Sequence, residues 1–260
     1  MKIESSGQSI SFGKRIDFHT HILPEMDDGS TSVEMSLQMI QTLRRQGVFC
    51  IVLTPHFYPL SDNPKHFLTK RNARMELLKS NYQHRMPLLL TGAEVQYFEG
   101  ITTMRDLPQM RIEGSRALMI EMPMCRWSGR MISDIKELNS SREYQVILAH
   151  AERYLPFGNL SSVRELTDCG VKIQISAGAF AGVFKSRKVL KMLDDGLVHI
   201  LGSDCHNMKS RPPNLSNAYD FIEEKRGKGA SQKIMNHGIR LLSERQDDRT
   251  PVAEEIELLL

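Results

Sequence analysis

Seven short apolar runs, at residues 16–18, 48–53, 88–90, 117–120, 146–148, 172–175 and 198–201, alternate with stretches whose apolar residues recur at helical spacing. Runs this short, each followed by polar residues and a returning amphipathic helix, predict strands joined by crossovers into a parallel sheet. Six of the seven runs end on a side chain able to hold a metal ion. An open doubly wound sheet would spread those side chains along its edge. A barrel gathers all its strand ends at one face, where the loops build a site. The expected fold class is therefore α/β, a closed or nearly closed barrel of about seven strands.

The helical patterns are read from their apolar spacing and their end signals. Thr31 and Glu34 have the form of a capping box, ahead of Val33, Leu37, Ile40 and Leu43, with Gly47 as the stop. Pro64 opens a second helix through residue 81, with Leu68, Met75 and Leu78 facing inward. Later helices are marked by Ile132, Ile135 and Leu138, by Val163 and Leu166, and by Val189, Leu190 and Leu193. Two more fill residues 218–225 and 232–242. Pro108 argues against one continuous element over 95–113. No boundary or repeat divides residues 15–242, which are expected to form a single domain after a polar lead-in at 1–14 and before a mostly polar tail at 243–260.

The chemistry begins where the first run gives out, in Arg-Ile-Asp-Phe-His-Thr-His-Ile-Leu-Pro-Glu-Met-Asp-Asp-Gly at residues 15–29. Period-2 alternation points His19 and His21 to one side, within reach of one divalent ion. Asp27 and Asp28 follow, and carboxylates suit a harder metal such as manganese or iron. Collected from the strand ends, the candidate ligands are His19, His21, Asp28, His56, Glu94, Glu121, His150, Asp204 and His206. Five histidines and four acids exceed the needs of one ion, so two or three ions with shared carboxylates are expected. Taken singly, each has a bland reading: a turn cap, a solvated acid, a satisfied core histidine. Their recurrence at successive strand ends is what favours the metal. His66, His84, His199 and His237 lie outside the pattern. Closely spaced metals activate water near neutral pH and clamp the oxygens of a phosphoryl group in transfer. Arg153 and Arg211 follow His150 and His206 closely, and a guanidinium fork matches phosphate oxygens.

A net charge of +3, with no basic run interleaved with aromatics, argues against a nucleic-acid partner. No apolar run is long enough to span a bilayer and no secretory leader is evident at residues 1–14, so no membrane insertion is expected. Four cysteines without a C-x-x-C pair fit reduced thiols, and the expected location is cytoplasmic.

The motifs Asp-Phe-His19-Thr-His21-Ile-Leu-Pro-Glu-Met-Asp-Asp28-Gly, Thr-Pro-His56-Phe-Tyr, Gly-Ala-Glu94, Glu121, Ala-His150-Ala-Glu-Arg153, Gln-Ile-Ser-Ala-Gly and Ser-Asp204-Cys-His206-Asn resemble the PHP (polymerase and histidinol phosphatase) superfamily. More narrowly, the chain resembles its bacterial metal-dependent tyrosine-protein phosphatases of capsule and exopolysaccharide loci, over residues 15–240. The resemblance implies a distorted TIM-like (β/α)7 barrel of the PHP type holding up to three metals, commonly manganese, with iron or zinc as alternatives. It implies the nine ligands named above, with Glu121 bridging, and phosphate held by Arg153 and Arg211. The implied reaction is hydrolysis, by a metal-activated hydroxide, of phosphotyrosine on the tail of a bacterial tyrosine autokinase that controls polysaccharide export. Glu25 stands where that family often has glycine, which puts a negative charge near the entrance.

Three alternatives stay open at this level. One is another phosphomonoesterase of the superfamily, such as a histidinol-phosphate phosphatase; another is a nuclease-like module; a third is a silent metal-binding regulator of a kinase. The segment from Cys205 to Arg211 also has the C-x5-R spacing of thiol phosphatases, but it lacks the glycines such a phosphate cradle needs. His56 and His150 both remain open as proton donor. The oligomeric state is not legible.

Overall fold

The computed structural model describes residues 15–82 and 87–243, with 183–185 described by backbone alone. The lead-in at 1–14, His84, and the tail from residue 244 lie outside the described residues. Among the described residues there are nine parallel strand segments: β1 (Arg15–Thr20), β2 (Val48–Leu53), β3 (His56–Phe57), β4 (Leu88–Thr91), β5 (Glu94–Gln96), β6 (Ala117–Glu121), β7 (Gln145–Leu148), β8 (Lys172–Ser176) and β9 (Ile200–Gly202). Between and after them lie α1 (Val33–Arg45), α2 (Pro64–Ser80), α3 (Gly129–Ser140), α4 (Leu160–Asp168), α5 (Val183–Asp194), α6 (Leu215–Arg226) and α7 (Lys228–Ser243).

Nine segments stand where seven strands are expected because two strand positions are broken. Thr54-Pro55 separates β2 from β3, since proline has no N–H for the ladder, and Gly92-Ala93 separates β4 from β5. Bonding runs on through both breaks: Gly92 N donates to the Leu53 carbonyl at 2.9 Å and Glu94 N to the Pro55 carbonyl at 3.0 Å. Arg71 of α2 fills the kink, donating to the Gly92 carbonyl at 3.0 Å and to that of Gln109 at 3.3 Å. Burial lowers its pKa to about 10. The kink is what turns Glu94 into the site.

The hydrogen-bonded orders are β1-β2-β4 and β3-β5-β6-β7-β8-β9. At the carboxyl ends, Asp204 N donates to the His19 carbonyl at 2.8 Å and His21 N to that of Cys205 at 3.0 Å, so the chain after β9 returns to β1. Ile16, Phe18, Val52, Met119, Ile147 and Ile200 meet in one apolar cluster with Leu241 and Leu242 of α7. Residues from strands so far apart in the sheet order touch only if the sheet curls. Their neighbours one position along, such as Ile51, Leu118, Leu148 and Leu201, face the other way into a larger cluster shared with the helices.

Several local expectations shift. The α1 cap is Ser32, whose hydroxyl accepts from Met35 N at 3.2 Å, one residue beyond the Thr31 capping box. Ser36 sets that register, because its buried hydroxyl bonds the Ser32 carbonyl at 3.0 Å and fixes the first turn. On α2, capped by Asn63, the buried stripe is Phe67, Arg71, Met75 and Leu78; Leu68 sits on its rim. The last strand is Ile200–Gly202, shifted from 198–201, and α6 and α7 are longer than their patterns. Residues 95–113 hold two 3-10 turns, Ile101–Thr103 and Leu107–Met110, the latter with Pro108 near its start.

Candidate metal centre

Eight of the nine candidate ligands sit at strand ends or breaks or within a few residues past them, and Asp28 lies in the loop between β1 and α1. His19 and His21 straddle the carboxyl end of β1 and bring their Nε2 atoms within 3.1 Å of each other. The β2–β3 break delivers His56, and the β4–β5 break delivers Glu94. His56 Nδ1 lies 2.9 Å from Glu94 Oε2, and His19 Nε2 lies 3.1 Å from the same oxygen. Glu121 ends β6, and His150 lies just past β7, its Nε2 2.7 Å from Glu94 Oε1 and 3.5 Å from Glu121 Oε1. Asp204 and His206 follow β9: Asp204 Oδ1 lies 3.6 Å from His19 Nε2 and 3.5 Å from His21 Nε2. Asp28 Oδ1 stands 3.5 Å from His56 Nε2 and 3.4 Å from His206 Nε2.

All nine predicted ligands therefore meet at one mouth. Three sets of donor atoms each fall within 4.8 Å of one another: His21, Asp28, His56 and His206; His19, His21 and Asp204; and His56, Glu94 and Glu121. Arg153 and Arg211, each about one-third exposed, converge on Asp204 from two sides; Arg211 Nη2 reaches Oδ1 at 2.7 Å and Arg153 pairs with Oδ2. Both arginines and Asp204 line a cavity of about 560 Å³, together with Glu152, Ser176 and Lys188.

The donor atoms have the orientation that a cation requires. His21 Nδ1 is 2.7 Å from Asp27 Oδ2, and His19 Nδ1 is 3.2 Å from Gln174 Oε1. With each δ proton committed to an oxygen, an ion bound between the rings would meet a lone pair on each Nε2 atom, in the place that a proton takes on His21 without it. Glu94 Oε2, His56 Nδ1 and His206 Nε2 are buried without an aligned hydrogen bond. His56 Nδ1 and Glu94 Oε2 are close enough to count as an ion pair yet are not aligned as donor and acceptor, as two ligands aimed at a shared ion would be. Such an arrangement repels itself without positive charge inside it.

The titration behaviour carries the same message. Burial alone would lower His21 and His150, but Asp27 and Glu94 beside the first, and Glu121 and Glu94 beside the second, raise them to about 10 and about 9. Burial, helped by the positive charges of His21 and Arg211, lowers His206 to about 4. Burial opposes ionisation of Glu94, but the surrounding histidines hold its carboxyl well below the usual range. Around the mouth, Asp27, Asp28, Glu94, Glu121 and Asp204 outnumber Arg153 and Arg211, and the bound protons make up part of the deficit. A divalent ion would replace those protons and satisfy the same lone pairs. The donor set, imidazole with carboxylate, fits manganese, iron or zinc.

Sequence reasoning named Asp27 only as a carboxylate beside the histidines, and it missed the groups that aim the candidate ligands. Asp27 accepts from His56 N at 2.9 Å besides holding His21. Gln174, inside the one expected strand that bears no ligand, accepts from His150 N at 2.6 Å as well as meeting His19. Asp17 accepts from Ser203 N at 2.8 Å, and the Tyr154 hydroxyl lies 3.3 Å from His150 Nδ1. Only period-2 alternation along 172–176, which puts Gln174 opposite Ile173 and Ile175, could have signalled the glutamine. His150 and Asp204 hold left-handed backbone, φ 33° and 54°, so the chain accepts local strain to turn these side chains inward. At Gly202 an added Cβ would lie 2.4 Å from His19 Cβ, so only glycine lets β9 approach β1.

Two sequence-level concerns resolve here. Cys205 is fully buried, burial pushes its thiol well above the ordinary range, and Asn207 Oδ1 accepts the amides of Lys209 and Ser210. That loop cradles its own side chain, and the thiol is no nucleophile. Glu25 has φ 54°, a backbone region that glycine enters without strain, and its charge is met by Arg74 at 2.9 Å rather than standing free at the entrance.

A profile of the family described as capsular polysaccharide synthesis, CpsB/CapC, matches residues 15–242. The chain belongs to this family. It is similar to the tyrosine-protein phosphatase YwqE of Bacillus subtilis, with 28% identity over 91% of this chain and 94% of YwqE. It is similar also to the tyrosine-protein phosphatase CpsB of Streptococcus pneumoniae, with 30% identity over 84% of this chain and 94% of CpsB. A crystal structure from work on these two proteins, described as unique metal-dependent tyrosine phosphatases, superposes with a TM-score of 0.76 at 26% identity, covering 91% of this chain and 97% of the other. The α/β fold with a curled parallel sheet is thus the fold of CpsB/CapC proteins.

Proposed function

We propose that this CpsB/CapC chain is a metal-dependent protein-tyrosine phosphatase acting on phosphotyrosine in the tail of a bacterial tyrosine autokinase that controls capsule or exopolysaccharide production. The observation that carries the reading is the convergence of nine imidazole and carboxylate side chains beside two arginines. We read residues 15–242 as one catalytic domain and its sheet as a distorted seven-position barrel, in which β2 with β3 and β4 with β5 each make one position. The four cysteines form no disulfide among the described residues, which supports a cytoplasmic setting, and no helix of the described residues is long and apolar enough to cross a membrane.

His19, His21, Asp28, His56, Glu94, Glu121, His150, Asp204 and His206 would hold two or three divalent ions, manganese foremost. Bound there, such ions supply positive charge for the phosphoryl oxygens and lower the pKa of water. Arg153 and Arg211 bind the phosphate: their forks flank one end of the 560 Å³ cavity and can pair its equatorial oxygens while the phosphoryl group moves. Asp204 holds the two guanidiniums apart and ready. Asp27 and Gln174 fix which imidazole nitrogen faces the mouth. Phenolate is a good leaving group, so proton donation carries little of the barrier.

Metal analysis of the purified protein, run beside phosphotyrosyl-peptide and histidinol-phosphate hydrolysis with and without chelator, tests this. Turnover of the peptide that disappears with the metal is the expected result. Preference for histidinol phosphate, or full metal occupancy with no phosphoester turnover, would overturn it.

A further inference from the structure

The amino ends of the strands carry a second polar cluster, remote from the metal ligands at the carboxyl ends. A cavity of about 170 Å³ lies there between the start of β8, the residue preceding β9, and α7. Its polar lining is Lys172, His199, His237 and Arg240, over Ile200 and Leu241. No carboxylate contributes to this lining. Lys172, His237 and Lys233 lower His199, and Arg240, Lys233 and Lys172 lower His237 against a hydrogen bond to the His199 backbone that raises it.

The two imidazoles are positioned, not adventitious. Their rings stack with centroids 5.6 Å apart and planes 28° from parallel. His199 is clamped to β8, its N donating to the Ile173 carbonyl at 3.0 Å and its Nδ1 accepting from Ile173 N at 3.1 Å. Its remaining proton is therefore on Nε2. His237 Nδ1 is buried with no hydrogen-bond partner among the described residues. Burial first, then the neighbouring cations, lower both rings, His199 to about 4. A partly enclosed pocket lined by two permanent cations and two imidazoles, with Lys233 acting on both rings from nearby, is complementary to negative charge. A water occupies about 30 Å³ of liquid, so the cavity has room for a tetrahedral oxyanion with a water or two.

We propose that this cavity is a second anion site, taking a phosphate dianion, free or as the head of a phosphomonoester, between Lys172, Arg240 and the paired rings of His199 and His237. Binding relieves the repulsion among Lys172, Arg240 and the two rings.

The test follows the imidazole C–H signals of the full-length, metal-loaded protein by NMR during titration with inorganic phosphate, against chloride at matched ionic strength. Signals are assigned with His199→Gln and His237→Gln. Phosphate should shift both and raise the apparent pKa of His237 by about one unit or more, because an adjacent anion favours the charged ring. The double variant Lys172→Ala/Arg240→Ala changes only side chains at the rim, and retained phosphotyrosyl hydrolysis reports its integrity. It should bind phosphate at least about tenfold more weakly, as expected when two charge-assisted contacts are lost. Methylphosphonate separates the sources: a response to phosphate alone assigns the free ion, and a response to both assigns the head of a larger molecule. Signals that stay still in phosphate, or that move equally in chloride or in the double variant, would overturn the proposal.

Discussion

The inner apolar cluster and the metal mouth are built from the same strands, only a few residues apart, and they obey opposite rules. In the first, Ile16, Phe18, Met119 and Ile147 bury every atom against apolar neighbours, so the packing is complete in the chain alone. In the second, Glu94, His56 and His206 keep buried polar atoms without aligned partners, and His150 and Asp204 adopt backbone that L-residues disfavour. One region makes the fold stable. The other spends part of that stability on positioning charge, which is the usual relation between a core and an active site.

If the two regions have these separate roles, perturbing one should leave the other's readout intact. Stripping metal with a chelator should lower phosphotyrosyl turnover by on the order of 10⁴-fold or more, since charge stabilisation and water activation go together. The far-ultraviolet circular dichroism should stay native, because the inner cluster does not involve the ions. Phe18→Ala should do the reverse, lowering unfolding free energy by about 3–5 kcal/mol while stoichiometric metal binding at low temperature persists. Equal loss of metal would mean the two regions are one cooperative unit.

Arg153→Lys should reduce kcat/KM by roughly 100-fold, about 2.7 kcal/mol, with metal content unchanged, because an ammonium cannot replace the bidentate fork. An unaltered rate would remove Arg153 from the phosphate site.

Asp17 lies on the border between the regions, and burial raises its pKa from 3.8 to about 6. Below pH 3.8 it is neutral in both states; between there and about 6 the folded chain keeps a proton that the unfolded chain has released. Stability from this group therefore falls as pH rises through that window and remains lower above it. Asp17→Asn should remove that pH dependence and gain on the order of 1–2 kcal/mol at pH 7, less than the full shift implies because the new amide needs a partner. Thermal melts at pH 4.5 and pH 7 would measure it; a variant less stable at pH 7 would show that the carboxylate's bond to Ser203 N outweighs its burial. The smallest effect belongs to Glu25→Gly, where relief of the left-handed backbone offsets loss of the Arg74 pair. A net change below about 1 kcal/mol is expected by denaturant titration.

Much of the candidate site was legible because its candidate ligands are of unusual type and lie at or just past strand ends, as with His19, His21, His150 and His206. Arg153 and Arg211 were legible from their nearness to those histidines. Gln174 and Asp17 were not: each is an ordinary polar residue inside a strand, and only its neighbours across the sheet give it a role. The capping residue of α1 moved by one because a buried serine at position 36, with no local signature, set the register of the turn.

The order of strands, the helices between them and the identity of the metal-seeking side chains follow from the sequence itself, since periodicity and residue chemistry are local properties. What the tertiary structure alone decided is how those pieces face one another: the breaks at Pro55 and Gly92 that swing His56 and Glu94 inward, the proton on each imidazole, and the cationic cavity at the far end of the sheet. Those depend on distances between residues far apart in the chain, and such distances exist only once the sheet has curled.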